Sequence, residues 1–227
     1  MDSGTTMKTE PNKHDRSWQA FTLVEMLTVI TIMGIVVTLV VTMGQAAAQK
    51  KKIVAVEGEK QKLITMIDNY YNKLNYYPPD NALLIANTNN PTLYDALAAT
   101  NPLAYELTGA TNLNNGANLA LFNTNNLTAA AFEGVFYRAG VANGDALEPH
   151  NFFQPGPAPK DYAPYSKNPL IVGLIVPADL IPGNTNNFWH YDSSSSMRHN
   201  MTSYDLWAEF SIGTKSGKLV IITNGNW

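Results

Sequence analysis

Cysteine is absent from the 227 residues, which excludes disulfide scaffolds and cysteine-ligated zinc or iron–sulfur sites. Charge of either sign is scarce and nearly balanced, with 15 Lys and Arg against 18 Asp and Glu and a formal net charge of -3. Such a chain has no bulk electrostatic footprint for nucleic acid. A Gly-rich phosphate loop, a nucleophile elbow and a Glu-x-x-His helix motif are also missing, so nothing in the sequence points to an enzyme. His190, Asp192, His199 and Asp205 form the one grouping of metal-ligand types. A His-x-Asp on one strand face reads more simply as a surface polar pair, and no metal ligand is assigned. The length allows one ordinary domain with an appendage.

The few charges are unevenly placed. Residues 1–20 carry Lys8, Lys13 and Arg16 against Asp2, Glu10 and Asp15, and residues 21–49 carry Glu25 alone. Residues 50–74 hold six Lys against Glu57, Glu59 and Asp68, and the remainder is acidic on balance. The chain therefore divides into a polar leader, an apolar rod, a basic stem and a mildly acidic body.

The rod is the most informative of the four pieces. From Phe21 to Met43 the chain runs 23 residues with a single charge. As a helix this is ~35 Å at ~1.5 Å per residue, enough for a hydrocarbon core of ~30 Å. Val, Ile and Thr are indifferent helix formers in water, but in lipid the backbone must satisfy its own hydrogen bonds and a helix is the single-segment solution. Glu25 is the anomaly. An acid inside a membrane helix costs about 2.5 to 3.5 kcal/mol even on lenient scales. Two accounts of it stand: it reaches the headgroups and favours the helix N-terminus, or a cation from another copy of the chain meets it.

Ala20-Phe21-Thr22-Leu23-Val24-Glu25, after a polar leader and at the head of the apolar run, resembles the class III signal of type IV pilins and type II secretion pseudopilins. The resemblance implies cleavage between Ala20 and Phe21 by a prepilin peptidase and N-methylation of Phe21. It also implies an assembly role for Glu25, which would meet the α-amine of a neighbouring subunit. Ala20 stands where the family usually has Gly, and the leader has no net positive charge where family leaders tend to be basic. Two other readings of this end compete. A conventional signal peptide cut after Ala46-Ala47-Ala48 has an apolar region of roughly 7 to 15 residues, shorter than this one and without a Glu. An uncleaved signal anchor takes its orientation from flanking positive charge, but Lys50, Lys51 and Lys52 match Lys8, Lys13 and Arg16. Export of the body thus rests on the resemblance.

Beyond the membrane the helix is expected to continue. Leu63, Ile67, Tyr70 and Leu74, with Ile64 and Tyr71 alongside, make one apolar stripe at helical period. Glu57 with Lys60 and Glu59 with Lys62 are i,i+3 pairs worth a few tenths of a kcal/mol each. Pro78 and Pro79 are the expected stop. Lys50–Lys52 read as a solvated or headgroup-facing collar.

The body shows few helical signals. Asn90–Ala99 reads as a short helix with Pro91 near its start. Residues 101–127 are Asn-rich and read as a long loop, and the closely spaced prolines of 149–169 read as an irregular crossing packed by Phe152, Phe153 and Tyr162. Leu170–Val176 is a strand candidate, and Ser193–Ser196 reads as a flexible turn. Tyr204–Phe210, a turn over Gly213–Gly217, and Lys218–Thr223 read as an antiparallel hairpin. Tyr77-Pro78, Trp189-His190-Tyr191 and the closing Asn226-Trp227 resemble the corresponding stretches of major pseudopilins. In that family the C-terminal loop holds calcium through carboxylates. Ser211–Leu219 contains no Asp or Glu, so calcium is not carried over, and no cofactor is expected.

The expectation is an α+β fold: a long N-terminal transmembrane helix, pilin-like, packed on a small antiparallel β-sheet body with irregular insertions. Its parts are a leader (1–20), a long helix (21–75, membrane-spanning over 21–43 with an amphipathic stem over 50–75) and a periplasmic body (76–227) with an insertion at about 100–187. The resemblance implies a pseudopilin of type II secretion, anchored once in a bacterial inner membrane. Its implied partners are the prepilin peptidase, copies of itself, other pseudopilins and an inner-membrane assembly platform. The alternatives are a type IV pilin of a surface or uptake pilus, many of which carry a disulfide this chain lacks, and a membrane-anchored binding body.

Overall fold

The computed structural model describes residues 21–86, 90–109, 128–144, 148–153, 156–215 and 218–227. The fold is α+β, with a long N-terminal apolar helix and two small antiparallel sheets. It divides into two units, Met1–Ala46 and Ala47–Trp227, and helix α1 (Leu23–Leu74) contributes to both.

In the first unit, every large apolar side chain described from Phe21 to Met43 is exposed. Three of the threonines there bond back to the helix. Thr28, Thr31 and Thr38 hydroxyls donate to the carbonyls of Val24, Leu27 and Gly34 at 2.7, 2.7 and 2.9 Å. Each of these three hydroxyls is thus folded back onto the helix, which suits a non-aqueous surround. Among the described residues α1 is the one helix long and apolar enough to cross a membrane.

In the second unit α1 becomes amphipathic. Val56, Leu63, Ile67 and Tyr70 are fully buried, so the stripe legible in the sequence is real and begins about two turns earlier than read. Leu74 and Ile64 pack at its margin, while Tyr71 is exposed. Lys60 is buried too, although the sequence places it in a surface pair. Its ammonium meets the Glu57 carboxylate at 2.9 Å and donates to Asn224 Oδ1 at 2.5 Å and the Gly225 carbonyl at 2.8 Å. Asn75, in the left-handed region at φ 63, ends the helix before the prolines are reached, its N–H returning to the Tyr71 carbonyl at 2.8 Å.

Three short helices come next. In α2 (Pro91–Ala99) the Asn90 side chain caps the start by accepting from the Leu93 N–H, with Pro91 in the first turn as its fixed φ allows. Helix α3 (Leu103–Thr108) corrects the loop expected there. All six of its residues are buried, so it shows no amphipathic period to read, and Gly109 closes it at φ 65, where a Cβ would lie 2.6 Å from the His150 carbonyl oxygen. Helix α4 (Ala129–Phe136) was also not legible as a helix, although Thr128 caps it through the Ala131 N–H. The rest of the Asn-rich stretch, residues 110–127, lies outside the described residues.

Strands β1 (Tyr162–Tyr165) and β2 (Asn168–Leu174) form an antiparallel pair, which corrects the irregular crossing read from the prolines. Pro164 and Pro169 are tolerated because they lie in a two-stranded pair, Pro169 near the start of β2 and away from its far end, where Leu174 accepts from the Trp189 N–H. The second sheet has the order β3-β4-β5, from β3 (His190–Asp192), β4 (Asp205–Lys215) and β5 (Lys218–Gly225). The hairpin is longer than read. Gly213 lies inside β4 at φ 113, at the shift in register after Ser211, and residues 216–217 of the expected turn lie outside the described residues.

The faces of β4 alternate cleanly. Leu206, Ala208 and Phe210 join the α1 stripe in the main core. Trp207, on the other face, joins Tyr94, Leu97 and Ala98 of α2, its ring stacked on Tyr94 at 5.9 Å. The sheet is therefore sandwiched between the α1 stem and α2.

The two halves of α1 respond differently to truncation. Ile67→Ala is expected to destabilise the body by about 2–5 kcal/mol, because a filled core site is emptied. Val36→Ala, in the exposed apolar half, is expected to change body stability by less than about 0.5 kcal/mol. Urea unfolding of the full chain in micelles, followed by tryptophan fluorescence, measures both.

Candidate functional site

Glu25 sits in the first turn of α1, and the chain supplies it with a local partner. Its Oε2 accepts from the Thr22 N–H and the Thr22 hydroxyl, both at 2.8 Å, while Thr22 Oγ1 accepts from the Glu25 N–H at 3.2 Å. This is a reciprocal capping box, with the acid also placed at the positive end of the helix dipole. The pair satisfies hydrogen bonds but brings no cation. Among the described residues Oε1 accepts no hydrogen bond, so half of the carboxylate remains open on the helix surface. Phe21 is 72% exposed just ahead of it, and Ala20, the other cleavage-site residue, lies outside the described residues. Among the described residues, this end brings together an acid with one oxygen that accepts no hydrogen bond and an exposed apolar helix surface.

The other candidate grouping is dispersed into structural roles. Asp192 and Asp205 face each other in register across β3 and β4, and both are fully buried, which corrects the surface pair read for His190 and Asp192. Asp192 accepts from the Ser194 and Ser195 N–H groups at 3.0 and 2.9 Å, from the Ser195 hydroxyl, and from the Tyr94 hydroxyl at 2.8 Å. Asp205 accepts from the His199 and Asn200 N–H groups at 2.6 and 2.9 Å, with His199 Nδ1 at 3.1 Å. His190 turns its ring toward Trp207 at 4.9 Å, and burial pushes its pKa down to about 4. Among the described residues no three His, Asp or Glu side chains are grouped to hold a metal.

The serines read as a flexible turn are fastened to a further acid that sequence reasoning missed. Asp80 is fully buried just past Pro78-Pro79, accepts from the Ser193 N–H at 2.8 Å and the Ser194 hydroxyl at 2.7 Å, and meets Arg138 at 3.4 Å. Glu106 of α3 is the fourth buried acid. Its carboxylate accepts from the Tyr70 hydroxyl of α1 at 3.0 Å and the Ala142 and Asn143 N–H groups at 2.8 and 2.9 Å. Nothing in the local sequence marks Asp80 or Glu106, because the groups that satisfy them are far along the chain.

These acids set a pH dependence. Burial pushes Glu106 and Asp80 above their ordinary values, Asp80 also through its neighbour Asp192. The Gln61 amide and then Lys60 hold Glu57 down at about 2. A carboxyl raised in the folded state binds its proton more tightly there, so its contribution to stability grows as pH falls from neutral and is complete near the unfolded value of about 4. A depressed carboxyl contributes fully above about 4 and loses that contribution as pH falls toward about 2. The urea midpoint of the body is therefore expected to rise between pH 7 and roughly 5 and to fall below roughly 4. A steady decline from pH 7 downward would contradict these assignments.

No protein-family model, curated protein or solved structure matches the chain, so its own residues are the ground for a functional reading.

Proposed function

We propose that the chain is a structural subunit of a filament of the pseudopilin kind. A prepilin peptidase cuts it between Ala20 and Phe21 and methylates the new amine of Phe21. The mature subunit is anchored once in a bacterial inner membrane by the apolar half of α1, with the body in the periplasm. It assembles with copies of itself and with other pseudopilins, on an inner-membrane platform driven by a cytoplasmic motor, into a pseudopilus for type II protein secretion. The role is mechanical rather than catalytic and invokes no cofactor.

The observation that carries this reading is the juxtaposition at the head of α1. Phe21-Thr22-Leu23-Val24-Glu25 opens a helix whose first half exposes its whole apolar surface, and the Glu25 carboxylate there has one oxygen capped and one open. A neighbour's α-amine meets the free oxygen and supplies the missing positive charge, while neighbouring helices cover the apolar surface. A simple membrane anchor explains the apolar surface but gives no reason to retain a charge that costs about 2.5 to 3.5 kcal/mol in lipid.

The test is the mass and N-terminal sequence of the protein recovered from a membrane fraction. The expected chain begins at Phe21 with a methylated amine. A chain beginning at Gln49, or one retaining Met1, overturns the proposal. Glu25→Ala is expected to enter the membrane at least as readily as the parent while its assembly into filaments falls by roughly tenfold or more, the loss of about 1.4 kcal/mol per contact.

A further inference from the structure

Among the described residues Lys60 is the one buried lysine, 6% exposed where the stem of α1 meets the end of β5. An ammonium taken out of water has to be paired and hydrogen-bonded. Three acceptors surround its Nζ: Glu57 Oε2 at 2.9 Å, the Gly225 carbonyl at 2.8 Å and Asn224 Oδ1 at 2.5 Å. The first two contacts are ordinary. The third is shorter than the ~2.7–3.2 Å of an N–H···O bond. With a C=O bond of ~1.23 Å, Asn224 Cγ lies no more than about 3.7 Å from Nζ, close to the ~3–3.5 Å of a near-attack geometry. Lys52 and Lys62 meet carboxylates instead, those of Asp179 and Glu59.

An amine beside an amide carbon reacts only if protons can move between the two nitrogens. Glu57 provides the route. Its Oε1 is held by the Gln61 side-chain amide at 2.9 Å, so Oε2 is left to face both Lys60 Nζ at 2.9 Å and Asn224 Nδ2 at 3.1 Å. One oxygen thus touches the nucleophile and the leaving group. Gln61 and then Lys60 hold Glu57 down at about 2, so at neutral pH it is a carboxylate, the form that accepts a proton.

We infer that Lys60 and Asn224 condense into an isopeptide cross-link, with Glu57 as the proton shuttle. Glu57 takes a proton from the Lys60 ammonium, and the Nζ lone pair attacks Asn224 Cγ, driving the C=O π electrons onto Oδ1. Glu57 passes its proton to Nδ2 and removes another from Nζ. As the electron pair on Oδ1 returns, the Cγ–Nδ2 bond breaks, and the departing ammonia takes up the proton that Glu57 holds. One side-chain ammonium and one primary amide become one secondary amide and one ammonium ion, with Glu57 restored and no oxidant or cofactor consumed.

The bond spans 164 residues of sequence and fastens the last strand to α1. It gives a chain without cysteine the covalent closure that a disulfide supplies elsewhere. The inference does not depend on the filament reading.

Tryptic digestion tests it, applied to the full chain after it has been held folded in detergent micelles at neutral pH and then denatured. An acylated Lys60 is not cut by trypsin. Mass spectrometry is therefore expected to find a branched peptide joining residues 53–62 to residues 219–227, lighter than the two together by one ammonia. Asn224→Ala is expected to abolish this product. Glu57→Gln is expected to slow its formation by roughly tenfold or more, because an amide does not carry a proton from Nζ to Nδ2. Separate peptides 53–60 and 219–227 from the parent overturn the inference. Loss of ammonia confined to peptide 219–227, the mark of a succinimide at Asn224-Gly225, overturns it as well, as does formation of the branched peptide in Glu57→Gln at the parent's rate. The parent digest stands even if a variant does not fold.

Discussion

One continuous helix has to satisfy two solvents, and the rest of the structure depends on how it does so. From Phe21 to Met43 sixteen large apolar side chains are exposed, uncovered by any of the described residues. Each such side chain left in water forfeits about 1.5–3 kcal/mol, a total on the order of tens of kcal/mol. Water is therefore an unfavourable surround for this half, which is long and apolar enough to cross a membrane. The threonine hydroxyls bonded back to the helix fit the same requirement. In the proposed function, lipid satisfies it before assembly and neighbouring helices satisfy it afterward. Glu25 is the one charge in the segment, and the capping box with Thr22 supplies it hydrogen bonds but no cation.

The second half of the same helix is the spine of the body, and without disulfides the body is tied to it by buried polar contacts. Tyr70 reaches Glu106, which also gathers the backbone at Ala142 and Asn143. Lys60 holds Asn224 and the Gly225 carbonyl, fixing the end of the last strand against α1. The chain's final residues close the arrangement. Asn226 accepts from the Leu206 N–H at 2.9 Å and donates to the Tyr204 carbonyl at 3.1 Å, and Trp227 stacks on His199 at 4.2 Å. Each tie joins residues distant in sequence, so each costs loop-closure entropy that a buried hydrogen bond, worth about 1 kcal/mol net, offsets only in combination with packing.

How much was legible in the sequence depends on the range of the physics involved. The apolar run, the stem stripe at Leu63, Ile67 and Tyr70, helix α2 and the β4–β5 hairpin are periodic or carry local turn chemistry, and all are present. Helix α3 was hidden because a helix buried on every side has no period, and β1 because prolines on a two-stranded pair resemble a loop. The site residues divide the same way. Phe21 and Glu25 stand out against an apolar background, so sequence alone isolates them. Asp80 and Glu106 are ordinary acids until residues far along the chain close around them. Asn224 joins the Glu57–Lys60 pair only once the last strand has docked on α1, and no spacing in the sequence records that.

The central claim is that copies of this helix replace lipid around one another. The absence of cysteine makes a direct measurement clean, because an introduced thiol is the only one in the chain. Single substitutions Met26→Cys, Ile30→Cys, Met33→Cys and Val37→Cys, treated in intact membranes with a short bismaleimide, report whether the helices lie side by side. The account predicts covalent dimers at these positions, lost when Glu25→Ala is added. A chain that stays monomeric at every position, with or without Glu25, would contradict it and leave the apolar half as an anchor alone.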